Sequence, residues 1–185
     1  KVSPLRFRVA KSTPYFGVSA GTAMLSQDAE VAGVSYDGEK SNGLAFSLSL
    51  GTRYARTETF VGWDVDYMDF DSNGGGRSSR FYGPSIGASI GLFTAVPWFT
   101  PYFGAGIMAL NHELTIPDGA GSVTLAAGRK FAPVVTAGIE FGVFDGFLSV
   151  SLEYKNISVS TDFDGLYTST KNSLSAVSLK ARFNY

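Results

Sequence analysis

The chain has 185 residues, enough for one domain, and its net charge of −1 with only 17% charged residues excludes an electrostatic nucleic-acid binder. It has no cysteine, which excludes disulfide frameworks and thiolate metal centres, and no apolar run long enough for a membrane-crossing helix. Eight membrane-spanning strands of about 9 to 11 residues would use about half of it.

Residues Lys1 to Thr13 carry four cations, Lys1, Arg6, Arg8 and Lys11, and no acid. We read 1–13 as an N-terminal arm and 14–185 as one barrel domain, although the alternation Leu5-Arg6-Phe7-Arg8-Val9 leaves room for an extra strand. From Tyr15 the pattern is regular. Phe16, Val18, Ala20, Thr22 and Met24 share one face and Gly17, Ser19, Gly21 and Ala23 the other, the period of two that a strand with unlike faces requires. The acidic stretch Ser26 to Asn42, with the turn signal Tyr36-Asp37-Gly38, reads as a long solvated loop. A second strand sets Leu44, Phe46, Leu48 and Leu50 against Ala45, Ser47, Ser49, Gly51 and Arg53. After a tight turn near Arg56 and Thr57, a third sets Val61, Trp63, Val65 and Tyr67 against Gly62, Asp64 and Asp66, before a loop at Ser72-Asn73-Gly74-Gly75-Gly76.

The fourth strand places Tyr82, Pro84, Ile86, Ala88, Ile90 and Leu92 opposite Gly83, Ser85, Gly87, Ser89 and Gly91. Proline removes a ladder donor, so Pro84 predicts a bulge or a frayed pairing. A turn around Val96-Pro97-Trp98 leads to a fifth strand from Pro101 to Asn111, with Phe103, Ala105, Ile107 and Ala109 on its apolar face. Leu114 to Gly128 reads as a second long loop. The sixth strand sets Val135, Ala137, Ile139, Phe141 and Val143 against Thr136, Gly138, Glu140 and Gly142, and the hairpin Phe144-Asp145-Gly146-Phe147 connects it to the seventh. There Leu148, Val150, Leu152 and Tyr154 oppose Ser149, Ser151, Glu153 and Lys155. A loop from Asp162 to Asn172 precedes the last strand, in which Val177, Leu179, Ala181, Phe183 and Tyr185 alternate with Ser178, Lys180, Arg182 and Asn184.

Strand count alone does not separate a membrane barrel from a soluble eight-stranded one. The faces do. Bulky apolar residues here oppose Gly, Ser, Ala and scattered charges, and small residues suit an eight-stranded interior while large ones suit lipid. We therefore expect an all-β, antiparallel, up-and-down transmembrane β-barrel in which the eighth strand pairs with the first, because lipid leaves no backbone group without a partner. Long and short connections alternate, which places the long ones outside the cell and both termini, with the 1–13 arm, in the periplasm. Tyr15, Tyr54, Trp98, Phe99, Tyr102, Phe147 and Tyr185 are expected in one interfacial aromatic belt, and Tyr67, Phe70, Tyr82 and Tyr154 in the other. Arg53, Lys155, Lys180 and Arg182 then share the lumen with Asp64, Asp66, Glu140 and Glu153, and a connected charge network that closes the lumen is expected in preference to an open pore.

Eight strands, the segment Pro101-Tyr102-Phe103-Gly104-Ala105-Gly106 and the terminal Leu179-Lys180-Ala181-Arg182-Phe183-Asn184-Tyr185 together resemble the outer-membrane protein A and opacity-protein superfamily of small barrels. The resemblance implies a Gram-negative outer-membrane location, lipid and lipopolysaccharide as surroundings, and no cofactor. It also implies a C-terminal assembly signal, here Val177, Leu179, Phe183 and Tyr185, read by the barrel-assembly machinery. An outer-membrane protein is made with a leader, so we read the chain as a mature or recombinant form.

Three functions stay open at this level: a monomeric structural, surface-antigen or adhesive barrel that meets host or neighbouring membrane proteins through its loops, a narrow porin-like channel, and a lipid A-modifying enzyme. The third finds little support. His112 is the only histidine, and its neighbour Glu113 points to the opposite face of the strand, so no dyad forms; a solvated rim histidine is expected, with no catalytic residue and no metal site.

Overall fold

The computed structural model describes residues 11–31, 34–55, 58–74, 77–94, 99–118, 121–143, 147–163 and 168–185. They form eight strands: β1 (Lys11–Val31), β2 (Val34–Ala55), β3 (Thr59–Gly74), β4 (Arg77–Leu92), β5 (Phe99–Asp118), β6 (Gly121–Val143), β7 (Leu148–Phe163) and β8 (Thr168–Asn184). Each is antiparallel to its neighbours and the sheet closes on itself through β1 and β8, from Tyr15↔Asn184 to Val31↔Thr168. Closure leaves no free sheet edge at membrane depth.

The side chains point as their period of two requires. Leu44, Phe46, Leu48 and Leu50 on β2, Phe103 and Ile107 on β5, and Val177 and Leu179 on β8 all face outward, Leu179 with 62% of its surface exposed. Phe183 and Tyr185 also lie on the outside. The outward apolar run stops at Tyr67 on β3 and Tyr154 on β7 and gives way to Asp69 and to Asn156 and Ser158, which marks the far edge of a lipid-facing band. Serine, glycine and charge fill the opposite face over the half nearer the termini.

The expected long loops are absent from the described residues. Ser26 to Val31 and Val34 to Asn42 belong to the β1–β2 hairpin, and Leu114–Asp118 and Gly121–Gly128 belong to β5 and β6. Ser72 to Gly74 likewise ends β3, Asp162 and Phe163 end β7, and Thr168 to Asn172 begin β8. These strands run past the lipid band into water, where the outer face is wet and apolar alternation no longer advertises a strand. Loop length therefore gives no orientation. β1 also starts earlier than the expected domain boundary, since Lys11 pairs with Ala55; residues 1–10 lie outside the described residues.

Pro84 interrupts pairing without shifting it. The β4–β5 ladder runs to Tyr82↔Asn111 and resumes at Ser85↔Met108 in the same register, so it frays locally and does not bulge. Gly83 makes this possible: its φ is +152°, and a Cβ there would lie 2.0 Å from the Ala109 carbonyl oxygen. True register shifts occur at Gln27/Ala29 against β2 and at Leu110/His112 against β6. One further irregularity concerns the wall. The β6–β7 ladder stops at Val134↔Ile157, although β7 continues to pair with β8 as far as Phe163↔Thr168 and β6 with β5 as far as Asp118↔Gly121.

Candidate functional site: the filled lumen

Near the termini, all eight charged residues named from the sequence face inward and join one connected network. Arg53 and Arg182 converge on Glu140, with Arg53 at 2.6 Å. Arg182 also reaches Glu153 at 3.5 Å, and Lys155 lies 3.2 Å from Glu153 and 2.6 Å from Asp66. Lys180 completes the series, 3.5 Å from Asp66 and 3.8 Å from Asp64. Each ion is held by partners from other strands, so the attraction offsets the cost of taking these charges out of water.

Two tyrosines belong to the network and correct the expected aromatic belt. Tyr15 and Tyr102 are only 2% and 1% exposed; Tyr15 donates to Asp64 at 2.9 Å and Tyr102 to Glu153 at 2.7 Å. An Arg182 guanidinium nitrogen donates in turn to the Tyr102 hydroxyl at 3.2 Å. Each ring lies over a glycine directly across the ladder, Tyr15 over Gly51 and Tyr102 over Gly138, where a Cβ would come within 2.7 Å of ring atoms. Parity carried the missing signal. Phe16 and Phe103 face outward, so the residues before them must face inward. Tyr54, Tyr67 and Tyr154 do lie on the outer surface, Phe70 is turned into the lumen, and Trp98 is outside the described residues.

Above this layer the lumen changes character. Met68, Phe70, Phe81, Met108, Leu110 and Ile157 point inward and pack as one buried apolar cluster with neighbouring alanines, leucines and valines. Sequence reading anticipated small and charged residues throughout and missed this plug. Its residues lie on the same strand faces as the lower charges, farther from the termini.

Beyond the plug lies a short polar chain. Gln27 donates to Asn172 at 2.8 Å, Asn172 donates to Thr170 at 2.9 Å, and the hydroxyls of Thr170 and Thr161 meet at 2.7 Å. His112 Nδ1 lies 2.8 Å from the Thr161 hydroxyl, and the ring is stacked 3.9 Å from Phe81 with Phe163 edge-on. This is no solvated rim residue, for it is 1% exposed. The outward face of β5 has already turned polar at Asn111 and Glu113, so His112 sits past the lipid band. Burial pushes its pKa down to about 3 and keeps the imidazole neutral. Glu113 points outward and accepts from Tyr82 at 2.8 Å.

Two separate spaces lie in the lumen among the described residues. A void of about 30 Å³ beside Asp66, Lys155 and the Gly104–Gly106 wall has room for a water or two, and a cup of about 170 Å³ opens at the far mouth between Gln27, Lys40, Ser41, Ser72 and Ser79. The apolar plug separates them. Among the described residues no cluster of side chains has the composition of a metal site.

A closed eight-stranded antiparallel sheet, apolar outside and charged within, is the fold of the small outer-membrane β-barrels. The chain is similar in fold to solved structures: Neisserial surface protein A (TM-score 0.58, 15% identity, 92% of this chain and 97% of that one), the outer-membrane protein AlkL (0.57, 13%, 100% and 96%) and the outer-membrane protease OmpT from Escherichia coli (0.52, 9%, 94% and 97%). No protein-family model and no curated protein matches the sequence. At these identities the likeness is one of fold.

Proposed function

We propose that this protein is an outer-membrane barrel with both termini in the periplasm and a lumen closed to solutes, acting at the cell surface as a structural, antigenic or adhesive element. One observation carries the reading: the lumen is stopped twice, by ion pairs near the termini and by packed apolar side chains above them. An ion crossing it would have to part several buried pairs and then enter an apolar layer. The likeness to a surface protein of Neisseria agrees with this role. The surface on offer is the tips of the β1–β2 and β5–β6 hairpins, whose strands of 20 to 23 residues outreach the 16 or 17 of the other four.

Lipid and lipopolysaccharide surround the monomeric barrel, and the barrel-assembly machinery inserts it. A non-catalytic role is supported by His112, whose imidazole is walled in by Phe81 and Phe163. Planar-bilayer recording tests the reading. The folded protein should be electrically silent, and a steady unitary conductance would replace the closed barrel with a narrow channel. Deleting the two tall hairpin tips should then abolish binding to host cells or matrix while leaving the barrel folded.

A further inference from the structure

The broken β6–β7 ladder leaves β7 with an open edge. From Ser158 to Phe163 this strand is bonded to β8 on one side and has no ladder partner on the other, while β6 runs alongside it. The break has local causes. Pro133, which lacks an N–H, stands just past the last pair, Val134↔Ile157, and the register shift at Leu110/His112 displaces β6 in the turn above it. Across the gap Lys130 reaches Asp162 at 3.1 Å.

The two edges differ in kind. β6 carries what natural sheets use to blunt an edge: a proline, Gly128, and the cations Arg129 and Lys130. β7 carries none of these, for Ser158-Val159-Ser160-Thr161-Asp162-Phe163 has no proline, glycine or lysine, and its alternation continues that of the lower strand. β6 is thus kept from closing on β7, and β7 keeps its template. The seam begins at the upper edge of the lipid band, level with the outward Pro133 and Phe131 of β6, and runs beyond it with Ser158, Ser160 and Asp162 on the outer face of β7, so lipid tails do not satisfy its backbone groups.

We propose that the open edge of β7, Ser158–Phe163, is a docking site for an extended segment of another polypeptide, added as a strand by backbone hydrogen bonds. The incoming segment is about six residues long, alternating in pattern, and carries a lysine or arginine that takes over Asp162 from Lys130. Phe131, 77% exposed on the outer lip of the seam, offers an apolar contact for one of its side chains.

The test uses the whole barrel in lipid nanodiscs and amide hydrogen exchange along β7. The probe is a synthetic octapeptide of alternating threonine and valine with a lysine at each end; the control is the same peptide N-methylated at alternate residues on its hydrogen-bonding edge. At ten times the dissociation constant, the octapeptide should slow exchange of the open-edge amides between Ser158 and Phe163 by about tenfold, and the methylated peptide should not. Three outcomes overturn the proposal: no slowing, equal slowing by both peptides, or an edge already protected in peptide-free discs, which would mean that lipid or the barrel itself covers it. Protection that disappears on dilution of the protein alone would show a second copy in the seam and also overturns it.

Discussion

The two halves of the lumen solve one packing problem by opposite means. Near the termini, long charged side chains fill the space, and glycine and serine on the neighbouring strands make room for them; above, Met68, Phe81, Met108 and Leu110 fill it with apolar volume. A charge is satisfied only by partners at particular places, so the lower half fixes one arrangement of the strands. Apolar packing tolerates substitution as long as volume is kept. The difference assigns specificity to the lower half and sealing to the upper.

Substitutions separate these roles, and the largest effect belongs to the lower half. Glu140→Ala leaves Arg53 and Arg182 facing each other without their shared carboxylate and should cost about 3–5 kcal/mol of unfolding free energy in detergent or vesicles. Removing Arg53 as well should restore part of that loss; a double variant no better than the single one would mean the pairing is not what Glu140 contributes.

In the upper half, Met108→Ala should cost about 2–5 kcal/mol, and Met108→Leu less than about 1.5 kcal/mol, by the same measurement. A leucine variant as unstable as the alanine one would show that the plug is as particular as the network below.

His112 gives the comparison a pH axis. Its folded pKa is about 3 against an unfolded value near 6.5, so its contribution is fully present above pH ~6.5 and is lost as pH falls toward 3. At pH ~5 the loss from this group should be about 2 kcal/mol, and His112→Gln should flatten that part of the stability profile. An unchanged slope in the variant would mean that the ring is not buried neutral. The smallest effect lies outside the barrel, where the exposed Arg80–Asp69 pair at 2.6 Å should contribute no more than about 1 kcal/mol and weaken with salt.

Much of this is legible in the sequence. A strand pressed between lipid and a packed lumen must alternate, so the eight strands, the closure of β8 on β1 and the inward charges could be read from parity alone. Parity also places Tyr15 and Tyr102 inside, although aromatic residues near strand ends have the composition of a membrane belt. The tall hairpins were illegible for a different reason. Outside the lipid band a strand needs no apolar face, so acidic and serine-rich stretches such as Ser26–Asn42 look like loop. Register cannot be read either, and without it Arg53 and Glu140, 87 residues apart, give no sign that they meet.

The charge network bears on how the barrel is assembled. Lys180 and Arg182 lie on β8, whereas all four carboxylates of the network lie on β3, β6 and β7. Without β8, those four negative groups face only Arg53 and Lys155, a deficit of two positive charges, and β8 carries those two. Pairing of β8 with β7 and β1 therefore neutralises the interior, and a chain in which Lys180 and Arg182 are both made neutral should close less completely and stay sensitive to protease.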